Sequence, residues 1–232
     1  MAQPPAVRRI ALFFFAAGLL AGAGSAAAQQ TIFNVPDPDV LEKGKTYLEA
    51  NFLWRPQDPR FADFAARGVW GLGGNIEAGV NLRGFMVPGR STPIAEPNVK
   101  WQPWSNQVFS VTAGAAGQFF LRGARDGTPS AFGYAHGAAK LPSDTRLTFG
   151  GYWASSGYAA EDVQKGVLAG VEQKFGQEWT LAADWFSGTN SIGYLTPGVI
   201  WKKGDWTIYL GYSFKNGDSK GNGVLTQFGF EF

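Results

Sequence analysis

Apolar and polar residues alternate with period two along most of the chain after Gln29. In Ile76–Gly84, Ile76, Ala78, Val80 and Leu82 share one face, and Glu77, Gly79, Asn81 and Arg83 share the other. In Trp206–Phe214, Trp206, Ile208, Leu210, Tyr212 and Phe214 oppose Thr207, Tyr209, Gly211 and Ser213. Pro97, Val99 and Trp101 alternate with Glu96, Asn98, Lys100 and Gln102. No segment after Gln29 shows convincing helical periodicity. The pattern predicts twelve strands, near 46–54, 64–72, 75–85, 95–102, 108–121, 131–141, 145–153, 165–175, 179–187, 191–202, 206–214 and 223–232.

The connections add a second signal. Gly73-Gly74, Pro103–Gln107, Pro142–Asp144, Gly176–Glu178 and Lys203–Asp205 are tight. Arg55–Asp63, Met86–Ile94, Arg122–Ser130, Ala154–Gln164 and Lys215–Asn222 are longer and more polar, with Gly188–Asn190 a short exception. A soluble sandwich has no reason to alternate short and long, whereas a membrane-spanning up-and-down barrel does. Aromatic residues cluster at both strand ends. Trp70, Trp101, Phe109, Trp179, Trp201 and Trp206 fall near the tight turns, and Trp54, Phe119, Trp153, Trp185 and Phe214 near the long loops. Two such girdles fit the two interfaces of a bilayer. A closed barrel also pairs every backbone polar group without an edge.

Composition narrows the function classes. Cys is absent and His occurs once, which excludes a disulfide framework, a thiol nucleophile and a multi-His metal centre. No cofactor or metal is expected. A net charge of +2 is no footprint for nucleic acid. Arg8 and Arg9, the apolar run Ile10–Leu20 and Ala26-Ala27-Ala28 follow the order of a secretory signal peptide, predicted to span 1–28. Without Arg8 and Arg9, Lys plus Arg equals the 18 Asp plus Glu. The remaining chain divides into an expected periplasmic segment, 29–45, and a barrel, 46–232.

The chain stops at Phe228-Gly-Phe-Glu-Phe232, with Phe228, Phe230 and Phe232 on one face. This resembles the terminal assembly signal of bacterial outer-membrane β-barrels. The resemblance implies a Gram-negative outer-membrane location and recognition of the last strand by the barrel-assembly machinery. The runs Thr31–Pro36 and Leu41–Tyr47 look like a motif, to which the sequence attaches no function.

Alternation also assigns the lumen. Predicted pore-lining residues are Glu49, Arg67, Glu77, Asn81, Arg83, Glu96, Lys100, His136, Lys140, Arg146, Glu172, Lys174, Asp184 and Lys202. Acids and bases nearly balance, so these groups either pair across strands and plug the lumen or line a narrow watery passage. Small residues at inward positions, among them Gly79, Gly114, Gly150, Gly170, Gly198, Gly211 and Gly229, favour an open lumen. The favoured function is therefore a narrow, weakly selective passive pore for small polar solutes or ions, in contact with the outer-membrane bilayer. The alternative is a closed structural, adhesive or receptor barrel.

An enzyme ranks below both. A Ser-His-Asp hydrolase would have to use His136, and its neighbours offer neither nucleophile nor orienting acid. A calcium site among Asp126, Glu161, Asp162 and Asp218 is weak, because these acids are scattered. The Ala154–Gln164 loop is expected to be solvated and mobile rather than folded into the mouth.

Overall fold

A computed structural model of the chain describes residues 30–57, 60–89, 91–121, 130–159 and 164–232. The signal-peptide reading of 1–28 lies outside these residues. Twelve antiparallel strands form a closed barrel in which each pairs with its chain neighbours and β1 pairs with β12. The strands are β1 Thr46–Arg55, β2 Phe61–Gly73, β3 Ile76–Val87, β4 Ile94–Ser105, β5 Phe109–Phe120 and β6 Ser130–Lys140. They continue as β7 Thr145–Ala154, β8 Lys165–Phe175, β9 Trp179–Phe186, β10 Tyr194–Lys203, β11 Trp206–Lys215 and β12 Gly223–Glu231. Each strand overlaps its sequence-predicted counterpart.

Three boundaries differ for physical reasons. β4 runs on to Ser105 because a register shift between Trp101 and Trp104 absorbs Pro103, which has no N–H to donate. β2 begins at Phe61, since Arg55 pairs with it across the β1–β2 loop. β10 begins only at Tyr194, so the β9–β10 connection spans Ser187–Gly193 and is not the short exception that Gly188–Asn190 suggested. All the long connections therefore lie on one side of the barrel and all the tight turns on the other. The β2–β3 turn shows why those turns can be so tight. Gly73, Gly74 and Asn75 all adopt positive φ, a conformation that Gly and Asn reach at least cost.

The two faces of the wall have opposite chemistry. Leu48, Val99, Val111, Leu147, Phe149, Val171, Leu181 and Leu210 stand exposed on the outside. So do Trp101, Phe109, Trp179 and Trp206 near the turns, and Trp54, Phe119, Trp153 and Phe214 near the loops. A continuous exposed apolar surface of this kind is stable only against another apolar phase. Inside, charged and polar groups alternate with glycine and tyrosine. Tyr47, Tyr134 and Tyr152 occupy the space left by glycines: a Cβ on Gly229 would run into Tyr47, one on Gly114 into Tyr134, and one on Gly166 into Tyr152.

The mouth on the loop side is partly covered. A single helical turn, α1 (Ser156–Ala159), carries Tyr158 over the lumen, where it stacks on Phe132 at 5.1 Å. Ala159 is fully buried. The described part of this loop is thus packed, contrary to the expectation of a mobile solvated loop. It is drawn in by an apolar cluster of Phe132, Tyr152, Phe186 and Leu168 that needs a cover.

Candidate functional site

The fourteen predicted lumen residues all sit at inward register positions, and neighbouring strands bring most of their charges together. Glu49 lies opposite Arg67 and Glu77 opposite Lys100, and each forms an ion pair, at 3.2 and 2.9 Å. Asn81 lies opposite Glu96 and donates to it at 3.0 Å, while Arg83 pairs with Glu96 at 2.8 Å. Arg146 lies opposite Glu172 and binds both its oxygens, at 2.6 and 2.7 Å. Lys202 approaches Glu231 at 3.7 Å. Lys140 and Lys174 stand exposed at the turn-side mouth and join none of the ion pairs among the described residues. His136 is buried and stacks on Tyr134 at 5.5 Å, with neither ring nitrogen hydrogen-bonded.

Asp184 breaks the pattern, because its cross-strand neighbours are Gly170 and Thr196 and no base faces it. Its partner comes from the N-terminal segment. One Asp184 oxygen accepts the backbone N–H groups of Phe33, Asn34 and Val35, at 2.9, 2.5 and 2.7 Å. The Asn34 side-chain amide donates to the other oxygen at 3.3 Å and to Thr196 at 2.8 Å. Charge-assisted bonds from three consecutive amides are strong and directional. They fix the tip of a hairpin in which Thr31 pairs with Pro36 and Ile32 N–H donates to Val35 C=O at 2.8 Å.

Residues 30–41, within the stretch expected to be periplasmic, are therefore folded into the lumen, entering from the turn side. Their apolar side chains fit the small inward positions of the wall. A Cβ on Gly170 would lie 2.5 Å from Ile32, and one on Gly198 would lie 2.6 Å from Phe33. The space that favoured an open lumen holds these two side chains. The hairpin stem is tied in turn. Lys100 donates to the Asp37 carbonyl at 3.1 Å, and Gln102 and Thr112 donate to the Pro38 carbonyl at 2.9 and 2.8 Å. Arg146 reaches Asp37 at 3.3 Å and Asp39 at 2.5 Å, while Glu77 accepts the N–H groups of Gln30 and Leu41 at 3.2 and 2.9 Å. Arg67 donates to Thr31 at 2.9 Å, and Gln227 donates to the Phe33 carbonyl at 3.0 Å.

Alternation could not find Asp37, Asp39 or the hairpin itself, whereas Gln227, on the inward face of β12 beside Gly229, was within its reach and was not named. The one signal available was Asp184, an inward acid with no inward base beside it. Of the acids considered for calcium, Asp218 instead caps a short 3-10 turn by accepting the Lys220 N–H. Asp126, Glu161 and Asp162 lie outside the described residues.

The hairpin divides the lumen. Among the described residues, cavities of about 360 Å³ each on its turn side are lined by Lys140, Lys174, Lys202, Arg146, Glu172 and Asp39. On its loop side lies one of about 270 Å³, floored by Thr31, Phe33 and Asn34.

No protein-family model and no curated protein matches this chain. Solved structures do. The KdgM porin in complex with disordered oligogalacturonate superposes with a TM-score of 0.55 at 11% identity, over 80% of this chain and 98% of that one. The COG4313 outer membrane channel from Pseudomonas putida F1 gives 0.51 at 13% identity, over 84% of this chain and 98% of that one. The chain thus has the twelve-stranded antiparallel fold of an outer-membrane β-barrel, with an apolar outer wall and a charged interior.

Proposed function

We propose that this protein is an outer-membrane pore for small polar solutes or ions, narrowed by its own N-terminal hairpin. The observation that carries the reading is a charged cavity of a few hundred Å³ on each side of the hairpin, within a wall whose outer face suits lipid. Export by the N-terminal signal and insertion through the Phe228, Phe230 and Phe232 strand belong to the same reading. The lumen residues named from the sequence would line the path, with Lys140, Lys174 and Lys202 at the turn-side mouth. Most acids are answered by bases within 4 Å, so the field along the path is weak and selectivity small.

The KdgM and COG4313 folds, a porin and a channel, support passage over catalysis. His136 has no hydrogen-bonded nucleophile or acid, which gives a hydrolytic mechanism nothing to start from. The dense hydrogen bonding of the hairpin favours a second reading, a closed receptor barrel. Planar-bilayer recording of the full chain separates the two. The pore reading expects small, stable conductance steps with a reversal potential near zero in a salt gradient. Electrical silence across voltages and salts would sink it and leave the closed barrel.

A further inference from the structure

The loop-side cavity holds an arginine and an aspartate that join none of the ion pairs among the described residues. Arg67 is committed to Glu49, Asn81 and Thr31, and Arg83 to Glu96. Arg55 differs. Its guanidinium lies over the Phe61 ring at 4.8 Å and the Tyr194 ring at 5.9 Å, and it donates to the Tyr194 hydroxyl at 2.9 Å. It joins none of the ion pairs formed among the described residues. A guanidinium stacked on rings keeps its in-plane donors for a carboxylate.

Asp63 sits on the neighbouring strand, opposite Leu53, two residues along from the Arg55 pair. It too joins no ion pair among the described residues, and its Oδ1 is buried without a hydrogen-bond partner. Arg55 and Asp63 therefore line one cavity of about 270 Å³ without pairing with each other. Leu53, Phe132, Phe186 and Ile192 make part of the same wall apolar.

We propose that this vestibule binds a small zwitterion with an apolar body, placing its carboxylate on Arg55 and its ammonium on Asp63. Two opposite charges that share one cavity without pairing with each other fit a solute that carries both charges. An anion alone engages only Arg55 and a cation alone only Asp63, whereas a zwitterion engages both. The apolar wall takes up the body of the solute, and the hairpin tip stops it at mid-barrel. This deepens the pore reading by naming a solute class, although binding itself needs no passage.

The test uses three probes with one phenylethyl body: L-phenylalanine, 3-phenylpropionate and 2-phenylethylammonium. Each is titrated calorimetrically into the full chain in detergent micelles, with empty micelles as the blank. Phenylalanine should bind roughly tenfold or more tighter than either single-charge probe, the scale of one charged hydrogen bond. Arg55→Gln should weaken phenylalanine and phenylpropionate alike. Asp63→Asn should weaken phenylalanine and phenylethylammonium but spare phenylpropionate. Phenylpropionate binding as tightly as phenylalanine, or no heat from any probe, would overturn the proposal. The wild-type probe series decides even if a variant fails to fold. Conductance of the same preparation without solute reads the pore separately. Silent bilayers with intact zwitterion binding would remove only the pore, and conduction without zwitterion preference would remove only this site.

Discussion

The barrel wall and the N-terminal hairpin occupy the same cylinder, yet they are specified in different ways. The wall is specified by phase. Each strand meets an apolar surrounding on one face and a polar interior on the other, so every second residue must be apolar whatever its neighbours are. On β3, Ile76, Ala78, Val80 and Leu82 turn outward while Glu77, Gly79, Asn81 and Arg83 turn in. The hairpin is specified by recognition. Ile32, Phe33 and Val35 are buried without a period of two, and they are held by one carboxylate and by glycines on distant strands. A phase tolerates many substitutions that preserve polarity. Recognition tolerates few, but its loss is local.

That contrast can be broken first where the two regions meet. Lys100 is fully buried, pairs with Glu77 in the wall and holds the Asp37 carbonyl of the hairpin stem. Lys100→Met leaves the buried Glu77 charge without a counter-ion, which should cost about 3–5 kcal/mol. Urea unfolding in micelles, followed by tryptophan fluorescence, reads it. A loss below 1 kcal/mol would show that the pair is solvated.

A wall substitution ranks next. Val80→Arg puts a charge on the outer face and should cost about 2–4 kcal/mol, depending on its depth in the bilayer. Asn81→Ser, one residue away on the inner face, removes bonds to Arg67 and Glu96 and should cost roughly 1 kcal/mol. Equal costs at the two positions would contradict the assignment of faces. Asp184→Asn then tests recognition alone. It should cost about 1–3 kcal/mol, felt only in the hairpin. Hydrogen exchange should speed up at Phe33, Asn34 and Val35 and stay unchanged at Val199 and Leu210. Uniform acceleration would mean that hairpin and wall form one unit.

The smallest effect belongs to the turn between β8 and β9. Hydrogen bonds from Lys203 and Trp201 hold the half-buried Glu178 carboxyl below its ordinary value of 4.5. A carboxyl lowered on folding stabilises at neutral pH and loses that contribution as pH falls below its ordinary value. Glu178→Gln should therefore lower the melting temperature slightly at pH 7 and leave it unchanged at pH 3. A difference that grows on acidification would reverse the sign of this contribution.

Much of this architecture was legible because solvent imposes it. Strand order, the inward set from Glu49 to Lys202 and the asymmetry of turns and loops all follow from alternation and turn residues. The cross-strand partners of Glu77 and Glu172 follow once register is known, because Lys100 and Arg146 lie directly opposite. The hairpin was not legible. Thr31–Pro36 has no periodicity, and its burial depends on Gly170, Gly198 and Asp184, more than 130 residues away. Small inward residues signal space, but they do not say whether water or another part of the chain fills it. Tyr158 and α1 were missed for the same reason, since a loop that packs against its own barrel carries no alternation to show it.

In the pore reading, the hairpin at mid-barrel sets the width of the passage. Single-channel conductance of the chain lacking residues 31–36, recorded beside that of the full chain, tests it most directly. Removing Ile32 and Phe33 from the positions beside Gly170 and Gly198 should join the cavities above and below and raise conductance several-fold. Equal conductance from two correctly folded barrels would place the constriction elsewhere and contradict the account.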